Sequence, residues 1–267
     1  MLKLFALKDD QSARWVHRVH QLRQNARRMA AVGTNLLFPP RCVNCGADLP
    51  DNRDRLHLCS DCRESLGPRQ WVGCPVCGAA GQLAQKCLLC GRFPLKIDMT
   101  VPLGSYYQDL RETVLRMKRP SHDPLSVAMG HLLALRRRRK LAEFHADLIV
   151  PIPMFWARRL QRGTNSPETV ARRLGRVLRI PVRNRLLVRT RNTLEQKDLT
   201  PKERFRNVRG AFAVRGGRRL ENARIIVVDD VLTTGATCSE VAKTLKRAGA
   251  SEVLAAVIAR AQGTNTT

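Results

Sequence analysis

The run VVDDVLTTGAT (227–237) holds two adjacent carboxylates and then a turn of hydroxyls with one glycine. Asp229 and Asp230 can accept hydrogen bonds from a diol or hold a divalent cation. Thr233, Thr234 and Thr237, with the backbone N–H groups of Gly235 and Ala236, can wrap an anion at a helix start. Carboxylates repel a bare phosphate, so a ligand suited to both halves carries a phosphate together with a diol or a metal ion. A phosphorylated ribose does. The plainer reading is a strand ending in a capped turn, where Asp and Thr are common for capping alone.

The second constellation is made of thiols. Eight of the nine cysteines come as four Cys-x-x-Cys pairs: Cys42/Cys45, Cys59/Cys62, Cys74/Cys77 and Cys87/Cys90. One pair presents two thiolates from a tight knuckle, and two knuckles complete a tetrahedral zinc site. Gly46, Gly78 and Gly91 follow three of the pairs, where a backbone free to take positive φ is useful. Disulfides would need an oxidising compartment, and a redox dithiol would not need four copies. The count allows one or two zinc ions, and the spacing leaves sequential and cross-braced pairing both open. Cys238 stands alone as a packing residue.

Elements must hold these groups in place. The apolar run 225–228 reads as a buried parallel strand bounded by the acids, and the following segment reads as a helix burying Val241, Leu245 and Ala248 and stopping at Gly249. LIVPIP (148–153) reads as a second strand. Arg158, Arg159 and Arg162 lie beyond its carboxyl end, where an α/β sheet binds ligands; Arg158 and Arg162 are candidates for a pyrophosphate. Helices are expected over 109–118, 124–142 and up to about 179, with strands at 101–107, 186–190 and 252–260. The polar, basic stretch 191–209 is long enough for a mobile flap, and its Lys197, Lys202 and Arg206 face either an anion or solvent. The alternation predicts an α/β fold. Its boundaries read as a basic amphipathic helical extension (1–35), a cysteine module (36–95) and the α/β domain (96–267). In the extension Trp15, Val19, Leu22, Ala26 and Met29 share a stripe that suits docking on the rest of the chain, or else a nucleic-acid or membrane arm.

Charge is the other conspicuous property. Lys and Arg number 48 against 22 acids, a formal +26, and two Cys₄ zinc sites would lower this only to about +22. Residues 172–191 hold eight arginines and no acid, and 136–140 read RRRRK. Such a field points to a polyanion, with nucleic acid ahead of acidic lipid. Aromatics are only 4 %, so phosphate contacts rather than base stacking would dominate. No run approaches the length of a membrane span, and the N-terminal MLKLFAL is too short for a signal-peptide core, so a cytoplasmic protein is expected.

The stretch 225–237 resembles the phosphoribosyl-pyrophosphate (PRPP) motif of type I phosphoribosyltransferases. With LLFPPRC (36–42), the paired knuckles, VPIP (150–153), Arg162-Gly163-x-Asn165 and the run ending NVRGAF at Phe212, the chain resembles the ComF family over about residues 35–262. The resemblance implies a parallel phosphoribosyltransferase-type sheet flanked by helices, preceded by a small Cys-rich zinc module. It also implies Mg²⁺ accompanying PRPP and a part in DNA uptake during natural transformation, with other DNA-uptake proteins as partners; the clustered arginines and scarce aromatics predict single-stranded DNA bound without sequence preference. One departure stands out: Thr164 and Ser166 replace the Phe and Gln of the family's usual RGFNQ. The alternative is an active phosphoribosyltransferase that joins PRPP to a nucleobase.

Overall fold

The computed structural model describes residues 15, 18–22, 29, 39–50, 56–81, 87–195, 199–217 and 219–261. Lys197 and most of the 1–35 extension fall outside them. Of the extension's apolar stripe, Trp15, Leu22 and Met29 are exposed. The chain divides into two compact units, residues 1–59 and 60–267.

In the larger unit a four-stranded parallel sheet carries the architecture. Its strands are β1 (Met99–Ser105), β2 (Leu148–Pro151), β5 (Arg224–Leu232) and β6 (Glu252–Arg260), in the order β1-β6-β5-β2. β5 and β6 alternate two buried sets of aliphatics, as a strand covered on both faces requires. Ile225, Val227, Val253, Ala255 and Val257 pack on one side with Val241, Ala242 and Leu245 of helix α9 (Ala236–Arg247). Helices α3 (Gln108–Met117), α4 (Asp123–Arg136) and α7 (Ser166–Leu178) pair off a second set of fully buried residues, among them Met117, Leu125, Met129, Leu133 and Leu174. Among the described residues no helix is long and apolar enough to cross a membrane.

Four details depart from the sequence expectations. The strand expected at 225–228 continues to Leu232, because β6 goes on pairing with it as far as Leu232↔Arg260. The acids therefore lie inside the strand. β2 pairs only as far as Val228, where Pro151 and Pro153 remove backbone donors, so the edge of β5 that carries the acids is uncovered. The helix expected over 124–142 breaks at Arg137, whose side chain is buried and donates to the carbonyls of Pro102 (2.9 Å), Leu103 (2.7 Å) and Arg69 (3.1 Å); α5 (Arg138–Glu143) restarts after it. The strand expected at 186–190 is β3 (Leu187–Arg189), which leaves the parallel sheet to pair antiparallel with β4 (Phe212–Val214). The stretch 191–209, expected as a flap, contains helix α8 (Pro201–Val208). Thr200 caps it in a reciprocal box with Glu203, and Pro201 stands at its first position.

Candidate functional site: an acid- and threonine-lined cavity and two thiol tetrads

A cavity of about 280 Å³ opens at the carboxyl end of β5. Asp229, Asp230, Thr233 and Thr237 line it, and facing them are Lys118, Arg158, Arg189 and Arg204. Their backbone supports come from separate elements: the turn after α3, helix α6 (Trp156–Arg162), β3 and α8. Arg158 is braced by donating to the carbonyl of Thr193 at 2.7 Å, and Arg204 donates to that of Leu199 at 3.0 Å. Arg189 bonds the Thr193 hydroxyl. Loss of water, followed by the nearby Arg158 charge, pulls its pKa below the ordinary arginine value.

The two acids are unequal. Asp230 pairs with Lys118 at 3.4 Å. Asp229 is pushed well above the usual carboxylate range, first by the loss of surrounding water and then by the charge of Asp230. Each carboxylate accepts from the backbone N–H that follows it, Asp229 from Asp230 (2.9 Å) and Asp230 from Val231 (2.7 Å). One ammonium against two carboxylates leaves room for a cation or for hydroxyl donors.

The turn is built as a cradle. Gly235 has φ +81°, and a hollow of about 20 Å³ lies among Asp229, Thr233, Gly235, Ala236 and Thr237. The Thr234 hydroxyl accepts from Ala236 N–H at 3.4 Å. A Cβ on Gly235 would stand 3.0 Å from both methyls of Leu95, so this glycine is held by positive φ and by that leucine together. Cys238 is buried behind the turn, as its packing role requires.

Of the other residues singled out from sequence, Lys202 is exposed on α8 and outside the cavity, while Arg204, two positions on, lines it. Arg162 ends α6, its side chain outside the described residues. Lys118, Arg189 and Arg204 did not stand out in the sequence. Arg189 and Arg204 lie in the 189–212 run that carries the family resemblance, which assigns them no role; no motif surrounds Lys118, and three distant elements bring them to the cavity.

The cysteines gather into two sequential tetrads. The sulfurs of Cys42, Cys45, Cys59 and Cys62, and those of Cys74, Cys77, Cys87 and Cys90, each lie within 4.8 Å of one another. Tetrahedral zinc with Zn–S near 2.3 Å sets S···S at about 3.8 Å. Cys45–Cys59 is 3.6 Å, Cys74–Cys90 3.7 Å and Cys77–Cys87 3.6 Å, so the spacing fits the ion. Gly46 and Gly78 take positive φ, whereas Gly91 is helical. Burial opposes ionisation of Cys42, yet backbone N–H bonds outweigh it and lower its pKa to about 6. Burial and the neighbouring thiols push Cys90 up instead. Four thiolates so close together need a cation.

The second tetrad is wired to the β5–α9 loop through Arg260. This buried side chain donates to the carbonyls of Cys77 (2.6 Å), Leu232 (3.2 Å) and Thr233 (2.7 Å). Lys96 N–H donates to the Ser239 hydroxyl at 3.0 Å, and Phe93 stacks on Phe205 of α8 with ring centres 5.3 Å apart.

Comparison with known proteins gives two domain matches in chain order: a double zinc ribbon domain over residues 33–93 and a phosphoribosyl transferase domain over 167–266. The chain is 30 % identical over 214 residues to the DNA utilization protein YhgH of Escherichia coli K12, covering 73 % of this chain and 93 % of that protein. The chain belongs to the ComF family. Competence protein F of Haemophilus influenzae is a further relative, 29 % identical over 229 residues, covering 84 % of this chain and 98 % of that one. A purine phosphoribosyltransferase from Pyrococcus horikoshii overlaps 62 % of this ComF-family chain and 83 % of its own, with 19 % identity and a TM-score of 0.31.

Proposed function

We propose that this ComF-family protein is a cytoplasmic accessory of DNA uptake that binds PRPP, or a related phosphate, at the β5–α9 loop and single-stranded DNA through basic surfaces. One observation carries the ligand half: a single cavity combines an acidic pair, a threonine cradle and a wall of cations. In this reading the turn from Thr233 to Thr237 receives the 5′-phosphate. Asp229 and Asp230 accept from the ribose hydroxyls and would hold the Mg²⁺ that accompanies PRPP, while Arg158, Arg189 and Lys118 face the pyrophosphate. The DNA half is supported by relatives named for competence and DNA utilization and by the net +26.

The cationic wall also favours a second reading, phosphoribosyl transfer to a nucleobase. Such a reaction needs little proton transfer from side chains; positioning and charge stabilisation of the departing pyrophosphate do most of the work. Among the described residues, however, no aromatic side chain lines the cavity to stack on a base.

Calorimetric titration tests the site. Replacing both acids by Asn should leave inorganic phosphate binding at least as strong and weaken Mg²⁺-PRPP at least roughly tenfold, the scale of one charge-assisted hydrogen bond. Unchanged PRPP affinity would refute the diol assignment. Pyrophosphate release with a panel of nucleobases separates the two readings.

A further inference from the structure

We propose that a single phosphodiester strand docks in an arginine-lined groove at the amino-terminal end of the sheet, remote from the β5–α9 cavity. This deepens the nucleic-acid part of the function proposed above and rests on it. The strands run parallel, so the start of β2 and the approach to β5 share one end of the sheet while the acidic pair lies at the other. At that first end Leu148 and Leu220 floor a groove of about 820 Å³, walled by Arg183, Arg185, Arg215 and Arg219.

The walls are fixed. Arg183 N–H donates to Ile149 of β2 at 2.9 Å, a turn closes from Leu186 N–H to Arg183 at 3.2 Å, and Arg215 N–H donates to Leu186 at 2.8 Å. Two loops distant in sequence are thus tied together, each presenting exposed guanidinium groups. Several arginines elsewhere are paired with acids: Arg136 with Glu64, Arg159 and Arg172 with Glu168, Arg224 with Glu252. The four groove arginines have no acidic partner among the described residues, and no acid lines the groove. Like charges gathered on a concave wall repel one another until an anion intervenes, and guanidinium forks match phosphate oxygens.

Two further features favour a nucleic-acid strand. Asn184, between Arg183 and Arg185, keeps a buried side-chain oxygen without a partner, an acceptor that the 2′-hydroxyl of a ribose strand, or water carried by a deoxyribose one, can satisfy. No aromatic side chain lines the groove among the described residues, so contact is through phosphates and indifferent to sequence. A concave channel receives one backbone, whereas a duplex presents two on a convex cylinder.

The test is anisotropy of fluorescent oligo(dT), oligo(U) and a duplex against the full-length protein over a salt series. The quadruple variant R183Q/R185Q/R215Q/R219Q should lower the slope of log K against log salt by about 3, from four lost phosphate contacts at ~0.7 each. Its affinity at low salt should fall roughly a hundredfold, while binding of Mg²⁺-PRPP and zinc content stay at parental values. R138Q/R139Q/K140Q, which removes exposed charge outside the groove, should change the slope by less than half as much. The pair R183Q/R219Q provides a milder variant with about half the effect. A groove variant with the parental slope, a control variant that loses as much, or tighter parental binding to duplex overturns the groove. The oligo(U) arm should show the same fall in slope with the groove variant; oligo(U) binding that keeps the parental slope overturns the groove. A parent protein that binds no strand at low salt overturns the groove and the nucleic-acid reading together.

Discussion

Asp229 stands where a carboxylate is hard to ionise and where a diol or cation needs it ionised. Its pKa in the folded protein is raised, so between the ordinary aspartate value near about 4 and that raised value the folded state holds a proton that the unfolded state has lost. Stability therefore falls as pH rises through this window, so burying this acid is a cost to the unliganded protein once the pH exceeds the ordinary aspartate value. Asp229→Asn alone should raise stability at neutral pH by about 0.5–2 kcal/mol, the range of relieved functional-site strain. The gain should shrink toward zero near pH ~4. Denaturant titration at several pH values measures both; a variant less stable than the parent at neutral pH contradicts this account. The acids and the threonine turn were legible because they are contiguous. The roles of Lys118, Arg189 and Arg204 were not: the run 189–212 contains the last two without saying what they face, a single lysine carries no local signal, and only the fold converges the three.

The elements that sequence reads best are those whose pattern is local. The apolar runs of β2, β5 and β6 and the stripe of α9 are visible as such. Lost were the break at Arg137, made by carbonyls on a distant strand and loop, and the β3–β4 hairpin, whose three-residue strands are too short to show a period. The cysteine count left the number of metal sites open, and the geometry resolves it into two tetrads. Protein purified without chelator should carry two zinc ions per chain by elemental analysis. Cys74→Ser with Cys77→Ser should retain one, because the first tetrad shares no ligand with the second. Metal-free protein with native folding of residues 40–95 would contradict the assignment.

At the scale of the whole molecule, net charge misleads about where the charge is displayed. Within RRRRK, Arg137 is buried on four carbonyls and Arg136 is held by Glu64 and the carbonyl of Arg63, so only Arg138, Arg139 and Lys140 face solvent. Burial, aided by Arg136, lowers the Arg137 pKa to about 10, a sign of structural duty rather than of display. Arg137→Met should cost about 3–5 kcal/mol by orphaning those carbonyls and the helix break, with the salt dependence of strand binding unchanged. Thermal unfolding and a salt titration of the same variant check the two halves. The basic character of the sequence thus sets an overall charge, and the distribution of unpaired arginines over the surface decides where that charge is offered.

Arg260 makes two chemistries share one side chain. Its guanidinium holds the backbone beneath Cys77 and the backbone beneath Thr233, so the knuckle and the anion loop are anchored to the same rigid group. Binding free energies that share a state are reciprocal: whatever factor the metal contributes to anion affinity, the anion returns to metal affinity. If the loop binds the proposed anion, the cell's buffered zinc concentration becomes a variable in that anion's affinity, and the anion's concentration a variable in the affinity for zinc.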